Sequence, residues 1–192
     1  MKAQHTIDVN TPQRYDEIYF GSRTIEMMPV TVVINMMRMF FRHGKFLDIG
    51  CGLGRYFGYI RDCEIHGVDF SEKVCQKARE DNPSATVLCH DITAGLPYTD
   101  NTFDYILCAE VLEHMKDPQA LVNEIYRVLK PDGIVIIATP FENRIVCDEH
   151  LWEFTDLDLL KFMEKFTNTS VLRYYNVRSF DWEQFLAIGQ KG

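Results

Sequence analysis

The sequence has little positive charge. Its 192 residues include 20 lysines and arginines against 28 aspartates and glutamates, so the formal net charge at pH 7 is −8. A chain with this balance has no field that attracts phosphate backbones or anionic lipid headgroups. We therefore expect neither a nucleic acid nor a membrane among its partners.

Long apolar runs and paired cysteines are also missing. The most apolar uncharged segment, residues 27–37, has about half the length of a bilayer-spanning helix. The six cysteines form no CxxC pair, and we expect no secretory leader before them. Scattered cysteines of this kind are typical of reduced thiols, so we predict a cytoplasmic protein.

The composition favours one domain. With 46% hydrophobic and 25% charged residues, the chain is long enough for a single well-packed core. We predict one domain over residues 1–192, divided into an N-terminal helical cap at 1–44 and a core at 45–192. Aromatic residues of the cap either close over a ligand or only attach this part of the chain to the core. These residues are Tyr15, Tyr19 and Phe20.

One stretch organises the rest of the chain. At residues 46–55 an apolar strand runs into an acid and three glycines at alternate positions, and a helical pattern follows. Glycines allow a sharp turn and a close approach of the backbone to a ligand, and the next helix offers unpaired N–H groups. The pattern therefore predicts a ligand-binding turn. Its candidate binding residues are Asp48, Gly50, Cys51, Gly52 and Gly54.

The spacing of these glycines distinguishes two kinds of ligand. A dinucleotide fingerprint needs its third glycine at the position of Arg55, whereas here the third glycine comes one place earlier, at Gly54. This spacing argues against a nicotinamide dehydrogenase. With an acid inside the strand end, the turn instead resembles motif I of the class I S-adenosylmethionine (SAM) methyltransferases.

Acids end the next two strand-like segments. The interval from Gly50 to Asp69 is about that of the acid that holds ribose hydroxyls in nucleotide-binding βαβ units, although a solvated acid beside a helix would look similar. Phe70 follows, where it is placed to lie on the adenine face. The family resemblance assigns the adenine amino group to Asp91. The other cofactor-binding residues that we predict are Ile92 and Ala109.

Two further segments extend the resemblance along the chain. Residues 96–114 resemble the strand-four region of the family, and the Leu-Lys-Pro-Asp-Gly join at 129–133 is another of its hallmarks. The likeness runs from about Phe46 to Gly189. It implies an α/β fold with a Rossmann-like, doubly wound, seven-stranded sheet in the order 3-2-1-4-5-7-6. Strand 7 is expected to be antiparallel, and the ligand to lie at the carboxyl ends of the strands.

The resemblance also implies a function. Within the type 11 methyltransferases, the chain resembles the quinone-biosynthesis-like group, which acts on small molecules. We predict that the chain binds SAM, releases S-adenosylhomocysteine (SAH) and methylates a small-molecule acceptor at oxygen or nitrogen. The alternatives are a noncatalytic SAM-binding partner subunit and a methyltransferase of protein or RNA. A base-methylating enzyme is disfavoured, because the sequence has no Asn/Asp-Pro-Pro-aromatic motif and no Pro-Cys pair. Nothing in it indicates an oligomeric state.

Candidate catalytic residues lie in two places. Glu110, Glu113 and His114 end the predicted fourth strand. Similarly placed residues of quinone-type O-methyltransferases hold a divalent cation, whereas in other relatives they pack or line the pocket; we predict no metal site. His150 follows the fifth strand and is either a general base or a histidine bonded to a neighbouring loop. The predicted catalytic set is His150, His114 and Glu113.

Local signals mark the starts of several helices. An acid follows Ser71, a proline follows Asp117, and Thr155 stands three residues before Asp158, so each position predicts a helix N-terminus. A short helix is also predicted at residues 56–61, directly after the glycine turn.

Overall fold

The computed structural model describes residues 2–3, 10–20, 31–140, 150–175 and 183–192. Within these ranges, the helices lie before and between the strands of one large sheet. The helices are α1 (Pro12–Phe20), α2 (Thr31–Phe40), α3 (Glu72–Asp81), α4 (Pro118–Val128) and α5 (Asp156–Phe162). The strands of the sheet are β1 (Gly44–Ile49), β2 (Cys63–Asp69), β3 (Thr86–Cys89), β4 (Phe103–Ala109), β5 (Leu129–Pro140), β6 (Thr167–Tyr175) and β7 (Glu183–Gln190).

The apolar segment at 27–37 is described from residue 31 onwards, where it forms most of α2. Among the described helices, none is both long enough and apolar enough to cross a lipid bilayer. Of the cysteines, Cys147 lies outside the described residues, and the others are free thiols.

The sheet has the topology that the sequence predicts. Its seven strands lie in the order β3-β2-β1-β4-β5-β7-β6. Strand β1 pairs in parallel with β2 and β4, whereas β7 is antiparallel to both β5 and β6. The α/β Rossmann-like fold with strand order 3-2-1-4-5-7-6 is therefore confirmed. Apart from this sheet, Lys2–Ala3 pairs antiparallel with Trp152–Glu153.

Helices cover both faces of the sheet because the central strands are apolar on both sides. In β1, the successive side chains of Phe46 and Leu47 point to opposite faces, and both are fully buried. Phe46 belongs to a core cluster that includes Met37 of α2 and Cys75 of α3. Leu47 belongs to a second cluster that includes Ile125 of α4. The sheet is therefore doubly wound, as the sequence predicts.

The predicted helix starts are present. Ser71 Oγ accepts a hydrogen bond from the backbone N–H three residues later at 3.3 Å, and Asp117 Oδ1 does the same at 3.0 Å. Thr155 and Asp158 form a reciprocal capping box at the start of α5. Each cap satisfies an N–H group that has no partner inside its helix. Short polar signals thus fix where α3, α4 and α5 begin.

The connection after the glycine turn differs from the prediction. A single 3-10 turn, Phe57–Tyr59, replaces the helix that the sequence predicts over residues 56–61. Gly58 lies inside this turn and disfavours helix by about 1 kcal/mol relative to alanine. Ile60 is already extended, with φ −91° and ψ 131°. The helix prediction is wrong because the chain has to extend again within a few residues to reach the start of β2.

Strand β5 is longer than the apolar run that predicts it. Leu129 pairs with Phe103 and Ile134 pairs with Tyr105, so the β5 side carries additional residues between these pairs. Residues 130–133 are these additional residues, and they coincide with the predicted Lys-Pro-Asp-Gly turn. The turn is therefore present as a wide bulge inside the strand rather than as a break before it.

We expect Gly50→Ala to destabilise the protein. Gly50 has a φ of +68°, and a Cβ atom placed there would lie 2.4 Å from Val111 Cγ2. A left-handed alanine and a tight clash together cost at least about 2 kcal/mol in the free energy of unfolding. Urea unfolding followed by circular dichroism measures the change.

The matched control is Gly58→Ala, because a Cβ atom at Gly58 meets nothing within 4 Å. The free energy of unfolding of this variant is expected to equal that of the wild type or to exceed it by up to about 1 kcal/mol. Equal destabilisation by the two substitutions would contradict the clash described for Gly50.

Candidate functional site

The candidate site lies where the carboxyl ends of three parallel strands meet. The register places Ile49, the last residue of β1, beside Val68 of β2 and Cys108 of β4. The residues that follow these three positions therefore converge at one edge of the sheet. Open α/β sheets bind ligands at this edge.

The glycine turn begins directly after β1. Gly50, Gly52 and Gly54 all have a positive φ, of 68°, 52° and 75°, which other residues adopt only with strain. The backbone N–H groups of Gly50 and Cys51 both donate to the carbonyl of Val68, at 2.8 and 3.0 Å. The turn is thus attached to the end of the neighbouring strand β2.

Asp69, the last residue of β2, is bonded to this turn. Its Oδ2 accepts from the Gly52 N–H at 3.0 Å, and its Oδ1 accepts from the Ser71 N–H at 3.1 Å. Burial raises the pKa of Asp69 above its ordinary value, although the two N–H donors oppose the rise. A carboxylate oxygen accepts two hydrogen bonds, so each oxygen retains capacity for one ligand hydroxyl.

Asp48 lies beneath the turn, near the end of β1. Its side chain is 2% exposed, and its Oδ2 has no hydrogen-bond partner among the described residues. Burial raises the pKa of Asp48 to about 8, an effect that Arg55 opposes and Asp69 reinforces. A buried acceptor without a donor is costly. This position is therefore suited to a ligand that brings a donor or a positive charge.

We expect the stability of the unliganded protein to fall with rising pH because of Asp48. In the unfolded chain this carboxyl ionises near its ordinary value of 3.8, whereas in the folded protein it keeps its proton up to about 8. Between these values the folded state binds more protons, so the free energy of unfolding falls by up to about 1.4 kcal/mol per pH unit. Urea unfolding of Asp48→Asn, which removes this titration, should show a flatter pH dependence than the wild type.

Exposed Glu80 provides the control for this measurement. Glu80→Gln is expected to keep the pH dependence of the wild type. If the free energy of unfolding of Asp48→Asn changed with pH as steeply as that of the wild type, Asp48 would ionise normally in the folded protein.

Helix α1 packs over the glycine turn. A Cβ atom placed on Gly52 would lie 2.3 Å from the Tyr19 hydroxyl oxygen, so this phenol rests directly on the turn. The Tyr15 ring meets the ring of Phe70 edge to face, with centroids 5.0 Å apart. Phe20 is 47% exposed. Of the three aromatic residues proposed as a cap, two therefore lie at the candidate site.

A residue that the sequence analysis missed holds α1 in place. Asp16 Oδ1 accepts from the Ser71 hydroxyl at 2.5 Å, and its Oδ2 lies 3.2 Å from Lys73 Nζ. These contacts join α1 to the start of α3. Nothing in the sequence distinguishes Asp16 from the many other acids of the chain.

The acid after β3 is at the outer side of the same edge. Asp91 is exposed, and its Oδ1 accepts from the N–H and the hydroxyl of Thr93 at 2.9 and 2.7 Å. Ile92 starts the 3-10 turn that Asp91 caps. Ala109, at the end of β4, is buried and pairs with Ala138 of β5. These predicted binding residues surround the glycine turn on both sides.

Glu110 follows β4 in a left-handed conformation, with a φ of 59°. Its Oε1 accepts from Gln184 Nε2 at 3.0 Å, and the side-chain oxygen Oε1 of Gln184 accepts from the Tyr174 hydroxyl. Burial raises the pKa of Glu110 well above its ordinary value, and the charge of Glu113 adds to the rise. The sequence analysis missed Gln184 and Tyr174. The available signal was a glutamine at the head of the apolar run of β7.

The predicted catalytic residues form one cluster. The rings of His114 and His150 are 5.0 Å apart, and His114 Nε2 lies 3.8 Å from Glu113 Oε1. Glu113 is 1% exposed; its Oε2 accepts from the Thr139 hydroxyl at 2.9 Å, whereas its Oε1 has no hydrogen-bond partner among the described residues. Burial raises the pKa of Glu113 to about 7. The cluster thus combines two imidazoles with a carboxyl that titrates near neutral pH.

The same cluster has the composition of a cation site. Glu113, His114 and His150 each offer one ligand atom, and these atoms lie within 4.8 Å of one another. Glu110 is not part of this group, and its Oε1 accepts from Gln184 Nε2. Residues 112–114 form only a single 3-10 turn, so the helical face that would align Glu110 with the other two is absent.

Known proteins resemble this chain in sequence and fold. Residues 47–137 match the family described as methyltransferase domain. A demethylmenaquinone methyltransferase of Geobacillus sp. (strain WCH70) is 30% identical over 129 residues, which cover 62% of this chain and 55% of that protein. An uncharacterized protein of Methanocaldococcus jannaschii is 34% identical over 110 residues, which cover 56% and 46%. The chain thus spans about half the length of these curated relatives.

A solved structure covers nearly the whole chain. The PH0226 protein from Pyrococcus horikoshii OT3 superposes with a TM-score of 0.66 at 24% identity, over 96% of this chain and 94% of that one. At this identity the likeness shows the fold alone. The two comparisons agree: residues 47–137 are similar to the methyltransferase domain family, and the sheet is the Rossmann-like, seven-stranded one.

Proposed function

We propose that this protein is a SAM-dependent methyltransferase that methylates oxygen or nitrogen of a small-molecule acceptor and releases SAH. The observation that carries the proposal is the pair of buried acids, Asp48 and Asp69, around a left-handed glycine turn at the carboxyl edge of the sheet. We further propose that residues 1–192 form one domain, with a helical cap at 1–44 and a core at 45–192.

The residues at this edge fit SAM. Asp69 has the capacity to accept both ribose hydroxyls while it keeps its bonds to the turn. Asp48 has a buried oxygen without a donor, which suits the ammonium group of the methionine part. We propose that Phe70 lies on the adenine face and that Asp91 accepts from the adenine amino group. Cys51, Ile92 and Ala109 complete the proposed cofactor site.

The protein's own chemistry then concerns the acceptor. SAM supplies a methyl group that is already activated by its sulfonium, so positioning and exclusion of water account for much of the acceleration. We propose that His150 takes the proton from the acceptor hydroxyl or amine as it becomes a nucleophile. His114 and the carboxyl of Glu113 lie beside His150, where a negative charge stabilises the imidazolium that forms.

Two observations support a small acceptor. The relatives named demethylmenaquinone methyltransferase act, by name, on a quinone-type small molecule. In this chain, the ring of Tyr15 lies between Phe70 and His114, with centroids 5.0 and 5.9 Å away, and so forms an aromatic wall next to the catalytic cluster. The net charge of −8 disfavours RNA.

We also propose that turnover needs no metal ion. Within the described residues, the candidate cation group is Glu113, His114 and His150, and Glu113 Oε2 already accepts from the Thr139 hydroxyl. The methyl group of a sulfonium is already activated, so its transfer needs no Lewis acid, and an imidazole can take the proton of the acceptor. We therefore favour the acid–base role of the cluster over metal binding.

Transfer from labelled SAM tests this function directly. The purified protein is incubated with a panel of phenols, hydroquinones and amines, with and without EDTA, and the products are separated from the protein. Label is expected on a small molecule, to the same extent in EDTA. Label found only on RNA or protein would overturn the small-molecule acceptor. Loss of transfer in EDTA, restored by magnesium or zinc, would overturn the metal-free mechanism.

A further inference from the structure

A cavity lies at the edge of the sheet that is opposite to the candidate site. It has a volume of about 380 Å³ and opens between the C-terminal end of α2 and the connection that leads into β2. Its wall adjoins the amino ends of β1 and β2, whereas the glycine turn follows their carboxyl ends. A strand of this length spans roughly 20 Å, so the cavity is separate from the site already described.

Positively charged side chains dominate the polar part of this wall. The cavity is lined by Arg38, Arg42, His43 and Arg61, and Asp62 is the single acid among its lining residues. Within the described residues, none of these three arginines forms a salt bridge with a carboxylate. Three arginines with one acid among them leave a net positive charge, which attracts an anion.

The partial negative charge at the C-terminal end of α2 does not repel an anion here. The free carbonyls of a helix C-terminus carry partial negative charge. The Arg42 guanidinium donates to two of them, the carbonyls of Arg38 and Phe41, at 2.7 and 3.0 Å. Arg42 therefore neutralises this end of the helix, and it is held in place by the same bonds.

The remaining wall is apolar and partly aromatic. Met37, Phe41, Tyr59 and Ile60 line it, and the Arg38 guanidinium lies 5.6 Å from the centre of the Tyr59 ring. An arginine stacked on an aromatic ring keeps its donors available at the edge of its plane. The cavity thus offers guanidinium donors on one side and a flat apolar surface on the other.

We propose that this cavity binds a small organic phosphate, with the phosphate held by Arg38, Arg61 and His43 and a flat apolar group lying against Tyr59 and Ile60. A phosphate monoester carries a charge near −2 and three acceptor oxygens, so it suits several guanidinium donors better than a single carboxylate does. A volume of about 380 Å³ is within the range of sites for small ligands. The proposal is independent of the methyl transfer.

Calorimetry with phenyl phosphate tests the proposal, with inorganic phosphate and phenol as the two half-ligands. Phenyl phosphate is expected to bind more tightly than inorganic phosphate or phenol. Arg61→Gln and Arg38→Gln are each expected to weaken its binding about tenfold or more, because each removes a charge-assisted hydrogen-bond donor. Arg42 is left intact because it caps α2. Lys161→Gln, which removes an exposed positive charge on α5, is the control and should bind like the wild type.

Melting curves of all variants establish that they are folded. Absence of phenyl phosphate binding to the wild type would overturn the proposal, and so would equal binding by the wild type and both arginine variants. Binding of phosphatidic acid vesicles without binding of phenyl phosphate would also overturn it, in favour of a lipid surface.

Discussion

Asp69→Ala is expected to weaken SAH binding by about 2 to 4 kcal/mol, the value of charge-assisted hydrogen bonds to two ligand hydroxyls. The carboxylate lies at the end of β2, is 6% exposed, and is fixed by the N–H groups of Gly52 and Ser71. An acceptor fixed in this way loses little entropy when a ligand binds, so its removal costs nearly its full contribution. Isothermal titration calorimetry with SAH measures the difference.

The same substitution removes the acceptor of the Gly52 N–H, so it also loosens the glycine turn. A melting curve therefore accompanies each titration, and Asp69→Asn, which preserves the shape of the side chain, is measured alongside. Asp81→Ala, at the exposed end of α3, serves as the control and is expected to bind SAH like the wild type. A folded Asp69→Ala protein with wild-type affinity would remove Asp69 from the cofactor site.

His150→Ala is expected to lower turnover by about 10²- to 10⁴-fold on the identified acceptor, with little change in SAH affinity. The imidazole is buried, lies against His114 and is followed by Leu151, whose N–H donates to the Glu113 carbonyl at 2.7 Å. This bond fixes the segment that carries His150 against the end of β4. A general base has to be neutral, so turnover is compared over about pH 6 to 9, a range that includes the ordinary histidine pKa.

Two comparisons separate a base from a residue that only packs. Glu113→Gln should reduce turnover as well, because it removes the carboxyl beside the two imidazoles. Glu80→Gln, on the exposed side of α3, should leave turnover unchanged. Full turnover by His150→Ala across this pH range would falsify the assignment of the base.

The fold was predictable from the sequence because its signals are local. Apolar runs that end in an acid, polar caps such as Ser71 and Asp117, and the spacing of the glycines each act within a few residues. The family resemblance then supplies the order of the strands. The helix predicted at 56–61 fails for a reason that is not local, since the distance to the start of β2 limits what this short connection can form.

The site was predictable only where strand ends determine it. The carboxyl edge brings Asp48 and Asp69 together without any further information. The bond between Gln184 and Glu110 joins residues 74 positions apart, and the bond between Ser71 and Asp16 joins residues 55 positions apart. No pattern in one sequence reports such pairs. The sequence therefore predicts the residues on the strands but not those that reach the site from other parts of the chain.

The position of β7 has a consequence for partly unfolded states of the protein. Strand β6 precedes β7 in the chain, yet among the described strands it pairs only with β7, which lies between β6 and β5. Detachment of β7 therefore removes the neighbour of β6 and opens the outer edge of β5 at the same time. Unpaired strand edges are sites of aggregation. Molecules that have lost the pairing of β7 are therefore expected to be the ones that aggregate.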